Sequence, residues 1–433
     1  MNVRLLILGG LGLTLLCPAL AHASQAQSRG FVEDSRINGL VRNNYRNNDH
    51  RQLDLDAREW GQGLQLDYAS GYTQGTLGWG LDAHAYFATR LDSGGGRART
   101  MMLVSDSDGS SRRESATAGA ALKMRLSNTE FKYGDLRPQT PVLALADNRL
   151  MPATATGLAF SSREVEGLLL EGGHFTASRD FNQTGHRGGF HAGYARVEGG
   201  DASYLGGTYQ LHPQVGLGLY SSRYQDLWRQ HYVNLNLDQS LDAEDRRSLN
   251  LDLRLYRSLD DGKALAGDIA VTAWSAALAL KDGPHTVTLA HQRIHGQQPF
   301  DYLALSGGGF HGSIYLANAS LIADFNGPGE RSWSLGYRLD LEHLGLPGLS
   351  FGTRYIRGSH VDGRRIPKDS PYRYYADKER QWERDIDLSY RVQSGVAKDL
   401  SLSLRQGTYR IHGTSNGDVD HIRLVTEYPF SLL

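Results

Sequence analysis

Gly75–Leu91 reads GTLGWGLDAHAYFATRL. Leu77, Trp79, Leu81, Ala83, Ala85, Phe87 and Leu91 fall on one face of an extended chain; Gly78, Gly80, Asp82, His84, Tyr86 and Arg90 fall on the other. Only a strand, whose side chains alternate, presents that pattern for so long. A soluble β-sandwich also alternates, but with strands of about 5–6 residues. A strand that crosses a bilayer at a tilt needs ~9–11. The length of this stretch therefore favours a membrane barrel over a sandwich.

The same period recurs along the chain. Ala118, Ala120, Leu122, Met124 and Leu126 alternate with Lys123 and Arg125, and Leu249, Leu251, Leu253 and Leu255 with Asn250, Asp252, Arg254 and Tyr256. Trp333, Leu335, Tyr337, Leu339 and Leu341 alternate with Ser334, Gly336, Arg338 and Asp340; Ile386, Leu388, Tyr390 and Val392 with Asp387, Ser389 and Arg391; Leu400, Leu402 and Leu404 with Ser401, Ser403 and Arg405. The closing segment HIRLVTEYPFSLL sets Ile422, Leu424, Tyr428, Phe430 and Leu432 against Arg423 and Glu427, as a last barrel strand does. Trp60, Trp79, Phe87, Tyr220, Trp274, Trp333 and Tyr428 stand near strand ends, where interface girdles need rings. Turn-forming clusters separate the strands at Asp92–Gly96, Asp106–Gly109, Asp260–Gly262, Asn326–Gly329 and Thr414–Gly417. The expected fold is all-β: a transmembrane antiparallel barrel, for which the strand-like segments number sixteen to eighteen, with a lumen wide enough for a channel unless loops fill it.

Composition bounds the rest. Met1–Arg4, the apolar run Leu5–Leu16 and Ala21-His22-Ala23 read as a cleaved secretory leader over residues 1–23, leaving one barrel domain over 24–433. The sole cysteine, Cys17, lies in the leader, so the exported chain is expected to be stable without a disulfide. The 46 basic and 47 acidic residues are mixed along the chain, which argues against a nucleic-acid partner. There is no HExxH metal motif and no GxSxG serine elbow, so neither metal nor other cofactor is expected. A His174, Asp226 and Ser313 trio can be picked out on paper, and an outer-membrane barrel hydrolase is the alternative function.

One segment breaks the alternation. PVLALADNRLMPATATG, residues Pro141–Gly157, places two prolines around an Ala/Leu-rich stretch with Arg149 near its middle. Pro141 and Pro152 exclude a central strand, and the segment is long for a turn.

These features resemble the OprD-type substrate-specific porins of the outer membrane of Pseudomonas and relatives. The motifs that carry the likeness are GFVEDS (Gly30–Ser35), SGYTQGTLGWGLDA (Ser70–Ala83), KYGDLRPQTPV (Lys132–Val142), RLMP (Arg149–Pro152), QPFDY (Gln298–Tyr302), DFNGPGERSW (Asp324–Trp333), LPGLSFGTRYI (Leu346–Ile356) and QSGVAKDLS (Gln393–Ser401). The resemblance implies a monomeric 18-stranded pore whose extracellular loops fold inward. It implies passive uptake of small carboxylate-bearing solutes such as amino acids, short peptides or aromatic acids. The surroundings it implies are outer-membrane lipid and lipopolysaccharide in a Gram-negative bacterium, with the barrel assembly machinery as partner during insertion.

The resemblance also places Pro141–Gly157 as the third extracellular loop, with Arg149 in the constriction beside Tyr194, Tyr302 and Asp324. Arg149, Arg405 and Arg423 match a basic ladder in such pores; Asn48, Ser389 and Ser403 stand where relatives can carry a base. Alternation alone puts Arg90, Lys123, Arg125, Arg254, Arg338, Arg391, Arg405 and Arg423 on inner faces, with Arg354 joining them. Of these, Arg125, Arg338, Arg354, Arg391, Arg405 and Arg423 are the expected pore lining, since paired guanidinium donors hold carboxylates. The competing readings are arginines neutralised by neighbouring acids on an ordinary polar wall, and Asp324 capping the Asn326-Gly327 turn.

Overall fold

The computed structural model describes residues 24–92, 99–413 and 417–433. The expected leader over 1–23, the turn residues 93–96 and the turn residues 414–416 lie outside the described residues. Eighteen strands form one sheet among the described residues. They are β1 Arg36–His50, β2 Ala57–Ala69, β3 Leu77–Asp92, β4 Glu114–Leu126, β5 Thr129–Leu136, β6 Thr154–Ser162, β7 Leu168–Arg179, β8 Ala202–His212, β9 Val215–Tyr224, β10 Trp228–Ser240, β11 Arg247–Asp260, β12 Ala270–Asp282, β13 His285–His295, β14 Arg331–Asp340, β15 Leu349–Asp362, β16 Asp377–Arg391, β17 Ser401–His412 and β18 Val419–Ser431. Each pairs antiparallel with its sequence neighbours, and β1 pairs with β18, so the sheet closes and leaves no edge.

The connections differ at the two ends. One end has tight turns, such as residues 283–284, where Gly283 takes φ 55° as a left-handed turn position requires. The other carries long segments, including 137–153, 180–201, 296–330 and 363–376. In outer-membrane barrels the long loops face outside and the short turns face the periplasm.

The predicted faces hold strand by strand. In β3, Trp79 is 50% exposed on the lipid side while Tyr86 is 1% exposed on the inner side. One girdle assignment is corrected: Tyr220 points inward and is 6% exposed, with its hydroxyl donating to Glu171 at 2.7 Å. In β9 the exposed Leu219 takes the lipid side, so its neighbour must face in.

The lumen is not evenly filled. Aromatic side chains of β7 to β11, among them Phe175, Tyr204, Tyr224, Trp228 and Tyr256, pack with loop residues Val142, Leu143, Leu145, Phe181, Phe190, Phe300 and Leu303 into one apolar core. A second cluster joins Tyr86 of β3 to Met102, Leu103, Leu150 and Met151. Loop residues thus pack against two stretches of the inner wall, and a polar wall lies around the β1–β18 closure.

Candidate functional site

The closure sets the geometry. Register places Arg405 opposite Arg423 and Arg423 opposite Arg46, so three guanidinium side chains stand side by side on the inner wall. The row ends in acids: Asp387 opposite Arg405, and Glu59 opposite Arg46. Beyond Asp387 it continues through Gly352 to Arg338. Arg405 Nε donates to Asp387 at 2.7 Å. Arg423 Nε is buried with no hydrogen-bond partner. The inner row nearer the short turns runs Arg42, Glu427, Ser401 and Arg391. A cavity of about 90 Å³ opens between Arg42, Arg46, Arg405 and Arg423 of the wall and Asp147 and Asn148 of the 137–153 loop.

That loop crosses the lumen and is held at both ends. The carbonyls of Pro141 and Val142 accept from the hydroxyls of Tyr256 and Tyr224 at 2.9 and 2.8 Å. On the opposite wall Arg42 donates to Asp147 at 2.6 Å and to the Arg149 carbonyl at 2.5 Å, while Gln65 donates to the Leu150 carbonyl at 3.2 Å and Arg46 to the Asn148 carbonyl. A Cβ on Gly63 would lie 2.7 Å from the Leu150 carbonyl oxygen, so the loop backbone can rest on β2 only at a glycine.

The Arg149 side chain donates to the Thr100 carbonyl at 3.1 Å and to Asn148 Oδ1 at 2.7 Å, and lies over the Phe181 ring at 4.8 Å. Burial pushes this guanidinium down to about 10, against Asp180 and Glu59, so it remains cationic at neutral pH.

Residues 296–330 form the facing lip. The stretch Tyr315–Ala323 is tied to successive strands. Arg254 of β11 donates to the Tyr315 carbonyl at 2.6 Å, the Ala317 amide donates to Ser275 of β12 at 3.0 Å, and the Asn318 amide donates to Gln292 of β13 at 2.8 Å. Arg354 of β15 donates to the carbonyls of Ala317 and Ala319. Glu383 of β16 accepts from the amides of Ile322 and Ala323 at 2.9 Å each. Asp324 follows, and its Oδ2 accepts from both Tyr194 at 2.7 Å and Tyr302 at 2.6 Å. Burial raises the Asp324 carboxyl above 3.8 and the two hydroxyls pull it the other way. Behind it Asp301, 4% exposed, accepts from the amides of Tyr194, Ala195 and Tyr302 and from the Tyr372 hydroxyl at 2.7–3.0 Å. One carboxylate thus joins three loops.

The expected site residues therefore divide. Arg405 and Arg423 meet in one row, Arg338 lies on that row further round and Arg391 on the row nearer the short turns, and Tyr194, Tyr302 and Asp324 form one hydrogen-bonded trio. Arg354 is committed to loop carbonyls. Arg125 stands apart at the short-turn end, bonded to Gln25 at 3.1 Å and stacked 4.0 Å over Tyr72. Arg90 donates to the Ser111 carbonyl, and Lys123 and Arg254 pair with Asp82 and Asp252. Arg42 and Arg46 escaped the sequence reading. The signal was in β1, where Arg42, Asn44 and Arg46 alternate with Val41, Asn43 and Tyr45. The paper triad does not assemble: His174 bonds Ser203, Asp226 bonds Lys263, and Ser313 accepts from the Ala144 amide.

Comparison with known proteins agrees with the barrel and its loops. The family model described as outer membrane porin, OprD family, matches residues 29–432. Porin D of Pseudomonas aeruginosa is 41% identical over 419 residues, 95% of this chain and 94% of that protein. The porin-like protein GalP of Pseudomonas putida is 30% identical over 425 residues, 96% and 98% of the two chains. The crystal structure of P. aeruginosa OprD superposes with a TM-score of 0.84 at 39% identity, covering 95% of this chain and 99% of that one. P. aeruginosa OpdK, solved with vanillate, superposes at 0.83 with 33% identity, covering 93% and 100%. These homologues are non-enzymatic channels of the Gram-negative outer membrane. A closed 18-stranded barrel with inward loops and a match over nearly its whole length make this chain a member of the OprD family of outer-membrane porins, which serve substrate-specific uptake.

Proposed function

We propose that the channel passes small carboxylate-bearing solutes, namely amino acids, short peptides or aromatic acids, through an arginine-lined constriction. The observation that carries this reading is the row Arg46–Arg423–Arg405, with the Arg423 Nε unpaired, beside Arg149 on the inward loop. Neighbouring like charges repel, and a carboxylate that enters relieves the repulsion and finds forked donors. Arg338 and Arg391 on neighbouring stretches of wall offer further weak sites, so a ligand is handed on without being trapped. The Tyr194–Asp324–Tyr302 trio supplies the opposite pole for an ammonium end. The vanillate held by OpdK is an aromatic carboxylate, which fits the same chemistry.

Planar-bilayer recordings with a panel of amino acids, dipeptides and aromatic carboxylates test this reading. The double substitution Arg46→Gln/Arg423→Gln is expected to weaken carboxylate block of the current roughly tenfold or more and to move the reversal potential in a salt gradient away from anion preference. If no carboxylate alters the current of the unmodified channel, or the double variant behaves like it, the arginine-lined constriction is wrong.

Acidification supplies a second test. Because burial raises the Asp324 carboxyl, this group loses its charge at a higher pH than an ordinary carboxylate. Anion preference is expected to rise as pH falls from 7 toward 4. Asp324→Asn is expected to show that higher preference already at pH 7, with the pH step flattened. A pH curve that survives Asp324→Asn unchanged assigns the step to another group.

A further inference from the structure

The outward face of β11 to β16 carries cations that the pore does not use. Arg257, Arg293, Arg331, Arg357 and Arg384 share the lipid-facing parity of their strands with exposed Leu255, Leu289, Trp333 and Leu388. They lie at one height. Hydrogen-bonded rows climb a tilted barrel wall: the row that includes Arg338, near the short-turn end of β14, reaches Glu59, near the long-loop end of β2. A level belt must therefore step toward the short turns from strand to strand. Arg257 shares a row with His295 through Thr272, and Arg293 is two residues below His295. Arg293 is opposite Arg331. Arg331 is opposite Ser359, with Arg357 two residues lower, and Arg357 is opposite Trp382, with Arg384 two residues lower.

Rings interleave with the belt. Trp274 is opposite Arg293, and Trp333 and Trp382 flank Arg357. Trp333, Tyr355 and Trp382 follow one another at 5.7 and 5.9 Å between ring centroids. Such rings mark the headgroup level of a bilayer. No carboxylate among the described residues pairs with any of the five arginines, although most other surface arginines toward the barrel ends have one, as Arg223 and Arg229 do with Asp261. Arg257 reaches only Thr272, at 2.9 Å, and the Nε of Arg293 is buried with no partner. Directly opposed like charges such as Arg293 and Arg331 are destabilising unless an anion lies between them.

We propose that this belt binds the phosphates of lipid A, the lipopolysaccharide headgroup of the outer leaflet. The long-loop end faces that leaflet, guanidinium groups fork onto phosphate oxygens, and the acyl chains would continue down the apolar band below the rings. The site faces lipid on the outer wall, away from the solute path, so it goes beyond the transport reading.

The test uses the full barrel purified in detergent and bis-phosphorylated lipid A as probe, with binding followed by native mass spectrometry or tryptophan fluorescence. The unmodified barrel is expected to bind it, to bind monophosphoryl lipid A less tightly, and to show no competition from inorganic phosphate. Arg293→Gln/Arg331→Gln/Arg357→Gln is expected to weaken binding about a hundredfold, with unchanged heat-modifiable mobility and single-channel current. Arg357→Gln alone, which leaves the opposed pair intact, is expected to weaken it about fivefold. The proposal is overturned if the triple variant keeps its affinity, if inorganic phosphate competes as well as lipid A, or if phosphatidylglycerol binds equally.

Discussion

Replacing Arg42 with alanine is expected to release the 137–153 loop from the wall while the barrel itself persists. Arg42 is 3% exposed and serves three acceptors: Glu427 at 2.6 Å, Asp147 at 2.6 Å and the Arg149 carbonyl at 2.5 Å. Removing one partner from a buried ion network leaves uncompensated charge, at a cost of ~3–5 kcal/mol. Here two carboxylates and a carbonyl lose their donor together. Burial pushes the Asp147 carboxyl up while Arg42 and Arg137 hold it below the usual range, so without Arg42 its ionised form is poorly supported.

The eighteen-stranded hydrogen-bond network does not depend on this side chain, so heat-modifiable migration on a gel is expected to survive with a lower midpoint. Single-channel conductance is expected to rise as the loop leaves the lumen, and proteolysis within 137–153 to become fast. Lysine does not substitute, because one ammonium cannot reproduce a planar fork with three separate acceptors. An Arg42→Ala channel with unchanged conductance and a protected loop would falsify the hook.

The second large effect is expected at Asp301. Alanine there leaves the amides of Tyr194, Ala195 and Tyr302 and the Tyr372 hydroxyl without their acceptor. A buried donor left unpaired costs roughly 1–3 kcal/mol, and these four belong to three different loops. The expected outcome is simultaneous loosening of 180–201, 296–330 and 363–376, read as proteolytic cleavage in all three and as a noisier, larger current.

The pH dependence has a definite sign. Burial pushes the Asp301 carboxyl up to about 6 from 3.8, against its four donors. A raised folded value means that folding binds a proton, so this contribution is full below about 3.8 and is lost as pH rises through about 6. Alanine does not titrate. The gap in thermal midpoint between the unmodified protein and Asp301→Ala is therefore expected to widen from pH 8 to pH 4. A gap that narrows on acidification would mean that the ionised form is the one the loops are built around.

Period 2 in Leu77–Leu91 and in the stretches that repeat it assigned their residues to lipid or lumen, because pleating alone decides that, with no distant partner needed. Tyr220, expected among the girdle rings, faces in, as the parity of the lipid-facing Leu219 requires. Pro141 and Pro152 announced a non-strand insertion for the same local reason, although Thr154–Gly157, the end of the expected segment, already belong to strand β6. Arg42 and Arg46 were missed because β1 is rich in asparagine, which blurs the apolar face that would have revealed the polar one.

The sequence by itself determined that this chain is a barrel and, in its clearly alternating strands such as Leu77–Leu91, which side chains face in. Tertiary structure alone decided which of the inward groups meet. Arg42 and Glu427 stand 385 positions apart, and Arg46 neighbours Arg423 only because the last strand closes on the first. Register between strands is set by closure and stagger across the whole sheet, and no local pattern carries that information. The same holds for the loops. Whether Arg354 lines a pore or holds the Ala317 and Ala319 carbonyls depends on where the 296–330 segment comes to rest, which packing against distant strands determines.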